Sequence, residues 1–213
     1  MLLEKNHPFK LLFVGDSITD CGRDRGLRGV DLGSGFVKLV DAHLRSQRTQ
    51  INCKVVNVGI SGNRIIDLES RWKNDVLAHN PDYVVLCIGI NDVWRQFDSP
   101  HLKQVTLEAY SEKLSSLIRQ TQPHIKEMCI LSPFLLESNR EDPMRAMMDR
   151  YGAAARTISK AQSTSFVDLQ SNFDAWLDAN ANSRLSDDRV HPNRKGHEII
   201  TRAFLCSVGI DLD

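Results

Sequence analysis

Bulky apolar residues come in short runs along this chain, and polar, glycine-dotted turns follow several of them. The first run, Leu11-Leu-Phe-Val14, contains no polar position and so leaves no face for water. A run of that length predicts a strand buried on both sides, as in a parallel sheet. Lys54–Val58, Tyr83–Ile88, Met128–Leu131 and Ser165–Asp168 predict further strands. Between them apolar residues recur at helical spacing. Phe36, Val37, Val40 and Leu44 do so within 34–46, and Ile65, Leu68, Trp72, Val76 and Leu77 within 64–79. Leu107, Tyr110, Leu114, Leu117 and Ile118 do so within 104–121. Residues 143–162 and 193–206 also read as helices, with a shorter one near Phe173–Leu177. Strands alternating with helices predict a three-layer α/β/α sandwich around a five-stranded parallel sheet. Right-handed crossovers and a strand order such as 2-1-3-4-5 follow from the same rules.

Composition narrows the class. A length of 213 residues suits one domain over 1–213, with no repeat or linker to divide it. Lys+Arg and Asp+Glu are both 27, so the net charge is zero and nothing favours nucleic acid or an anionic membrane as partner. No run approaches the ~18 apolar residues of a membrane span. Residues 1–8 carry an acid and a proline where a signal peptide needs an apolar core, which points to a cytoplasmic protein. Five cysteines occur without a CxxC pair. Cys53, Cys87 and Cys129 fall in or beside strand runs, where cysteine behaves as a small buried hydrophobe. Cys21 is close enough to the first strand end to line a site there. Met144, Met147, Met148 and Tyr151 read as helix core rather than as a cofactor box.

The candidate chemistry begins where the first strand ends. Gly15 lets the backbone turn, and Asp16 and Ser17 follow at once. In open α/β sheets the carboxyl ends of strands are where ligands bind, so Ser17 is a candidate nucleophile. Asp16 and Asp20 read as acceptors that tie down its turn. Two more strands end in polar turns, Gly59-Ile-Ser-Gly62-Asn63 and Gly89-Ile-Asn91-Asp92, and a parallel sheet brings all three to one edge. Each turn alone is explained by turn formation. Together they also offer donors where acyl chemistry needs them, and a side chain at Gly62 would obstruct a substrate's approach.

A base is offered by Asp187-Asp188-Arg189-Val190-His191-Pro192-Asn193. Asp188 can fold back onto the His191 ring, fixing its tautomer and stabilising the imidazolium. Asp187 is the less favourable alternative acid. Pro192 keeps His191 extended, outside the helix that follows. His197 lacks the spacing of a helical metal pair with His191, and the remaining histidines have no carboxylate in a comparable setting. Trp94 and Arg95 follow Asn91 closely. Trp94 can stack on a sugar ring or simply pack, and Arg95 can line the pocket or pair with a local acid.

Four blocks, Gly-Asp-Ser-Ile-Thr-Asp, Gly-Ile-Ser-Gly-Asn, Gly-Ile-Asn-Asp and Asp-Arg-Val-His-Pro, resemble in their order the GDSL esterases of the SGNH hydrolase superfamily. The resemblance implies a flavodoxin-like SGNH fold and a Ser17–His191–Asp188 triad. It also implies an oxyanion hole made by the Ser17 and Gly62 N–H groups and the Asn91 side-chain amide. No metal or cofactor is implied. Longer pieces, Asp-Ser-Ile-Thr-Asp-Cys-Gly-Arg, Gly-Ile-Asn-Asp-Val-Trp-Arg-Gln and Asp-Pro-Met-Arg, look like the bacterial acetylxylan esterase branch. That branch implies O-acetyl groups on xylan or xylo-oligosaccharides as substrate, and homo-oligomeric assembly. Asp187 departs from it, since an aromatic precedes the triad aspartate there. The competing readings are a lysophospholipase, thioesterase or general carboxylesterase of the same superfamily, a flavodoxin-like binding module, and a catalytically dead relative. Acids in the first βα turn argue against phosphate binding, and every chemical position being filled argues against a dead relative.

Overall fold

A computed structural model describes residues 3, 7–24, 26, 30–46, 51–180 and 183–210. Gly29 and most of residues 1–8 lie outside the described residues. The strands are β1 (Phe9–Gly15), β2 (Cys53–Asn57), β3 (Tyr83–Cys87), β4 (Glu127–Leu131) and β5 (Ser165–Val167). They form one sheet in the order β2-β1-β3-β4-β5, parallel throughout. The order and direction match the expectation, and each strand starts or ends within a residue of its predicted place.

The helices are α1 (Ser17–Asp20), α2 (Phe36–Leu44), α3 (Ile65–Asp75), α4 (Ile90–Asp98), α5 (Leu107–Thr121), α6 (Pro143–Ala161), α7 (Leu169–Ala179) and α8 (Arg194–Ser207). Helix α2 packs on α8 and α8 on α7, while α3, α4, α5 and α6 pack among themselves, giving a layer on each face of the sheet. Leu11–Val14 are buried, and Phe13 meets Phe36 of α2 and Phe204 of α8 edge-on at 5.6 and 5.4 Å. Such pairs add to the apolar burial that holds α2 and α8 against the sheet. Trp72 of α3 is buried and satisfies its indole N–H on Thr121 Oγ1 of α5 at 2.9 Å. Cys53, Cys87 and Cys129 are buried, as their strand positions predict, and burial pushes their thiols up, Cys129 to about 12. No helix among the described residues is long and apolar enough to cross a membrane.

Helix α4 corrects the reading of Gly89-Ile-Asn91-Asp92 as a turn. Gly89 is its N-cap at φ +133, and Ile90, Asn91, Asp92 and Val93 are its buried residues. Half of that buried stretch is polar, so hydrophobic periodicity does not reveal it. Helix α1 is a single turn that begins at Ser17 itself.

Candidate active site

The carboxyl ends of β1, β2 and β3 lie side by side in the sheet, and their loops meet over one cavity of about 530 Å³. Gly15 closes β1 against β3: a Cβ there would lie 2.2 Å from the Cys87 carbonyl oxygen. Asp16 then caps α1, its Oδ1 accepting from the Ile18 N–H at 3.0 Å. This sets Ser17 at the first helical position, with its side chain open to the cavity. Asp16 is fully buried and its Oδ2 finds no hydrogen-bond partner among the described residues; burial pushes its carboxyl up to about 7. Its role is to hold the turn.

The candidate base reaches this serine from far along the chain. Ser17 Oγ lies 2.9 Å from His191 Nε2, and His191 Nδ1 lies 2.5 Å from Asp188 Oδ2. A carboxylate only accepts, so Nδ1 carries the hydrogen and Nε2 is left as an acceptor facing the serine hydroxyl. Asp188 Oδ1 accepts from the Val190 and His191 N–H groups at 3.0 and 2.8 Å, and from Ser186 Oγ at 2.9 Å. Partial burial works against the charged carboxylate, but these bonds and the imidazole together hold Asp188 well below the usual carboxylate range. Asp187 is exposed, and the acid against His191 is Asp188. Pro192 is buried and Asn193 caps α8 by accepting from the Gly196 N–H, so His191 stays outside the helix.

Gly62 and Asn91 line the same cavity. Gly62 has φ +83, and a Cβ there would meet no protein atom within 4 Å. Backbone conformation therefore asks for glycine at this place, in addition to any approach by a ligand. Asn91 is buried on the first turn of α4, and its Nδ2 donates to the Asn63 carbonyl at 3.1 Å. An amide nitrogen has two hydrogens, so one remains for another acceptor.

Four side chains brace these loops. Asp20 Oδ2 accepts from the N–H and the hydroxyl of Ser61, at 2.9 and 2.8 Å. Arg23 Nη2 donates to the Gly59 carbonyl at 2.7 Å. Arg71 donates to the Gly15 and Val58 carbonyls and to Asn63 Oδ1, spanning the ends of β1 and β2 and the loop beyond Gly62. Asp92 accepts from the Ile65 N–H through both oxygens, tying α4 to α3, and burial pushes its carboxyl up to about 7.

Trp94 and Arg95 are at the cavity wall. Trp94 stands edge-on to His191 at 5.9 Å; Arg95 lies 5.0 Å from the Trp94 ring and pairs with Asp98 at 2.5 Å. Cys21 lines the cavity, as its place just after the first strand predicts; what sequence reasoning left out is its partner at the wall, His197, whose Nε2 lies 3.3 Å from the Cys21 Sγ. His197 Nδ1 accepts from the Phe36 N–H at 3.2 Å, and burial, helped by nearby His191, pushes its imidazole down to about 4. It is therefore neutral and its Nε2–H faces the sulfur. Residues this far apart in the chain carry no spacing signal that could join them. No group of three His, Cys, Asp or Glu among the described residues is placed to hold a metal ion.

The sheet order, with its site at the carboxyl edge of the first strand, defines an α/β hydrolase of the SGNH type. An acetylxylan esterase of Geobacillus stearothermophilus is 45% identical over 208 residues, covering 95% of this chain and 94% of its own. An alpha/beta hydrolase enzyme from the metagenome of Lake Arreo, Spain, superposes with a TM-score of 0.91 at 45% identity, covering 94% of this chain and 95% of the other. A catalytic mutant of the Geobacillus esterase, its serine changed to alanine, superposes with a TM-score of 0.91 at 43% identity, covering 99% and 98%. Other matched structures are catalytic mutants of that enzyme with an aspartate or a histidine replaced by alanine. The model of the GDSL-like lipase/acylhydrolase family matches residues 13–199, and the chain belongs to that family as a carboxylic ester hydrolase.

Proposed function

We propose that this esterase removes short acyl groups, acetyl foremost, from the hydroxyls of xylan or xylo-oligosaccharides. The reading rests above all on the unbroken chain from Ser17 Oγ through His191 to Asp188, 2.9 and 2.5 Å long at its two links, opening on the cavity shared with Gly62 and Asn91. Neutral His191 takes the Ser17 proton as Oγ attacks the ester carbonyl. The oxyanion is met by the N–H groups of Ser17 and Gly62 and by Asn91 Nδ2. The sugar hydroxyl leaves with the proton held by His191. Water then attacks the acyl carbon while giving a proton to His191; the bond to Ser17 Oγ breaks, His191 returns the proton to Oγ, and the acetyl group leaves as the acid. Asp188 keeps the imidazole in the accepting tautomer and stabilises its cation.

The substrate class is supported by the Geobacillus relative and by a cavity walled by Trp94 and Arg95. An indole ring beside the base offers a sugar ring an apolar surface close to the reacting bond. The test is acetate release from acetylated xylo-oligosaccharides beside p-nitrophenyl esters of graded chain length, with Ser17→Ala as control. Acetyl esters are expected to lead the series, and Ser17→Ala to lose about 10⁴- to 10⁶-fold in kcat. A preference for long acyl chains would replace the acetyl reading with a lysophospholipase or thioesterase. Undiminished turnover by Ser17→Ala would remove the mechanism.

A further inference from the structure

Between Asp188 and His191 sits a residue with a use of its own. Arg189 adopts φ +67, a left-handed conformation uncommon for a residue with a side chain. That geometry accompanies a guanidinium directed away from the active site. Its Nη1 donates to Glu137 Oε2 at 2.9 Å and to Asp142 Oδ2 at 3.0 Å. The backbone repeats the connection, with the Leu136 N–H donating to the Arg189 carbonyl at 2.8 Å.

The partners form a braced platform. Asp142 caps α6, accepting from the Met144 and Arg145 N–H groups. Glu137 Oε1 accepts from the Asn139 N–H at 2.9 Å. Arg145, buried, donates to the Glu137 carbonyl and pairs with Asp149 and Asp174. The bonds that hold Asp188 are, in contrast, internal to its turn. Asp188 takes its bonds from Ser186, Val190 and His191, all within its own turn. Such bonds keep the acid–base contact but do not by themselves set the turn's place relative to Ser17.

We infer that Arg189 is a positioning residue that clamps the Asp188–His191 turn to the Glu137–Asp142 platform and so holds His191 Nε2 in register with Ser17. This rests on the serine mechanism proposed above. Arg189 is not among the residues lining the cavity, so its effect is exerted through His191. Hydrogen bonds from backbone N–H groups, and the guanidinium itself, hold both platform acids below their ordinary range and so favour their charged form.

The test compares wild type, Arg189→Met, Arg189→Lys, Glu137→Gln/Asp142→Asn, and all of Arg189→Met, Glu137→Gln and Asp142→Asn together. The Asp142→Asn change keeps a side-chain oxygen for the α6 cap. With the register loosened, kcat is expected to fall about tenfold to a hundredfold with little change in KM. The platform double variant and the combined variant should match Arg189→Met, because each removes the same link, and Arg189→Lys should lose less. Labelling of Ser17 by a sulfonyl fluoride forms an O–S bond, expels fluoride and passes the proton to His191; its rate should fall in parallel. The acid limb of the pH–rate profile should stay in place, whereas Asp188→Asn should move it.

Unchanged kcat and labelling in Arg189→Met would overturn the clamp. So would an acid limb that moves as it does in Asp188→Asn, or additive losses from the two sides. If wild type itself is not labelled at Ser17, the serine mechanism fails and the clamp with it.

Discussion

At the scale of single residues, Asn91 has the sharpest consequence. Its amide has one hydrogen committed to Asn63 and one free, and the buried position keeps that free donor out of bulk water. A donor aimed at developing charge in such a place matters more in the transition state than in the ground state. Asn91→Ala is expected to lower kcat by about 10²- to 10³-fold with KM much less affected. Steady-state kinetics on one acetyl ester measures this, and a loss under about fivefold would take Asn91 out of the oxyanion role. Ser17, Asp188, His191 and Asn91 were all legible as candidates, because their chemistry needs particular residue types at strand ends and in a turn. The Cys21–His197 contact was not. The two residues meet only because the end of α1 and α8 share a wall of the cavity, a contact made across the fold.

At the scale of elements, the junction between β3 and α4 aims Asn91. Gly89 has φ +133, and a Cβ there would lie 2.9 Å from Pro133 Cβ and 3.3 Å from Tyr110 Cε2. Gly62 has φ +83 but open space around it. Both glycines should resist alanine, for different reasons. Gly62→Ala carries the backbone penalty alone, about 1–2 kcal/mol. Gly89→Ala adds steric overlap with Pro133 and Tyr110 and should cost more, with activity lost because Asn91 is two residues away. Urea midpoints of the two variants, with their turnover, check the ranking; an equally stable Gly89→Ala protein would contradict it. The strands and the long amphipathic helices could be read from periodicity, since apolar burial alone organises them. Helix α4 escaped because it buries Asn91 and Asp92 beside Ile90 and Val93, and a glycine followed by such residues looks like a turn.

At the scale of the whole molecule, a net charge of zero says little about how stability varies with pH. The buried groups say more. Asp92 rises from 3.8 to about 7 through burial, so the folded state holds a proton that the unfolded chain releases. Its contribution is full below 3.8 and disappears as pH rises through about 7. His197 works at the other end: burial lowers it from 6.5 to about 4, so its contribution is intact above 6.5 and declines as pH falls through about 4. Asp92→Asn keeps an oxygen for the Ile65 N–H and removes the titration. Between about pH 5 and about pH 8, wild type should lose about 2–3 kcal/mol more than Asp92→Asn. Denaturant melts at the two pH values provide the comparison, and parallel losses would show that Asp92 does not titrate in this window. Neither shift could be read from sequence, because burial is a property of the finished packing.

Ser17 stands at the end of the first strand, while His191 stands just before the last helix, 174 residues away. During synthesis the serine therefore leaves the ribosome long before the imidazole that would deprotonate it. A nascent chain can build most of its sheet and still be chemically silent. On the proposed mechanism, hydrolysis begins only when the segment bearing His191 has been made and the helix behind it has folded against α2, so each working molecule has passed a test of its own assembly.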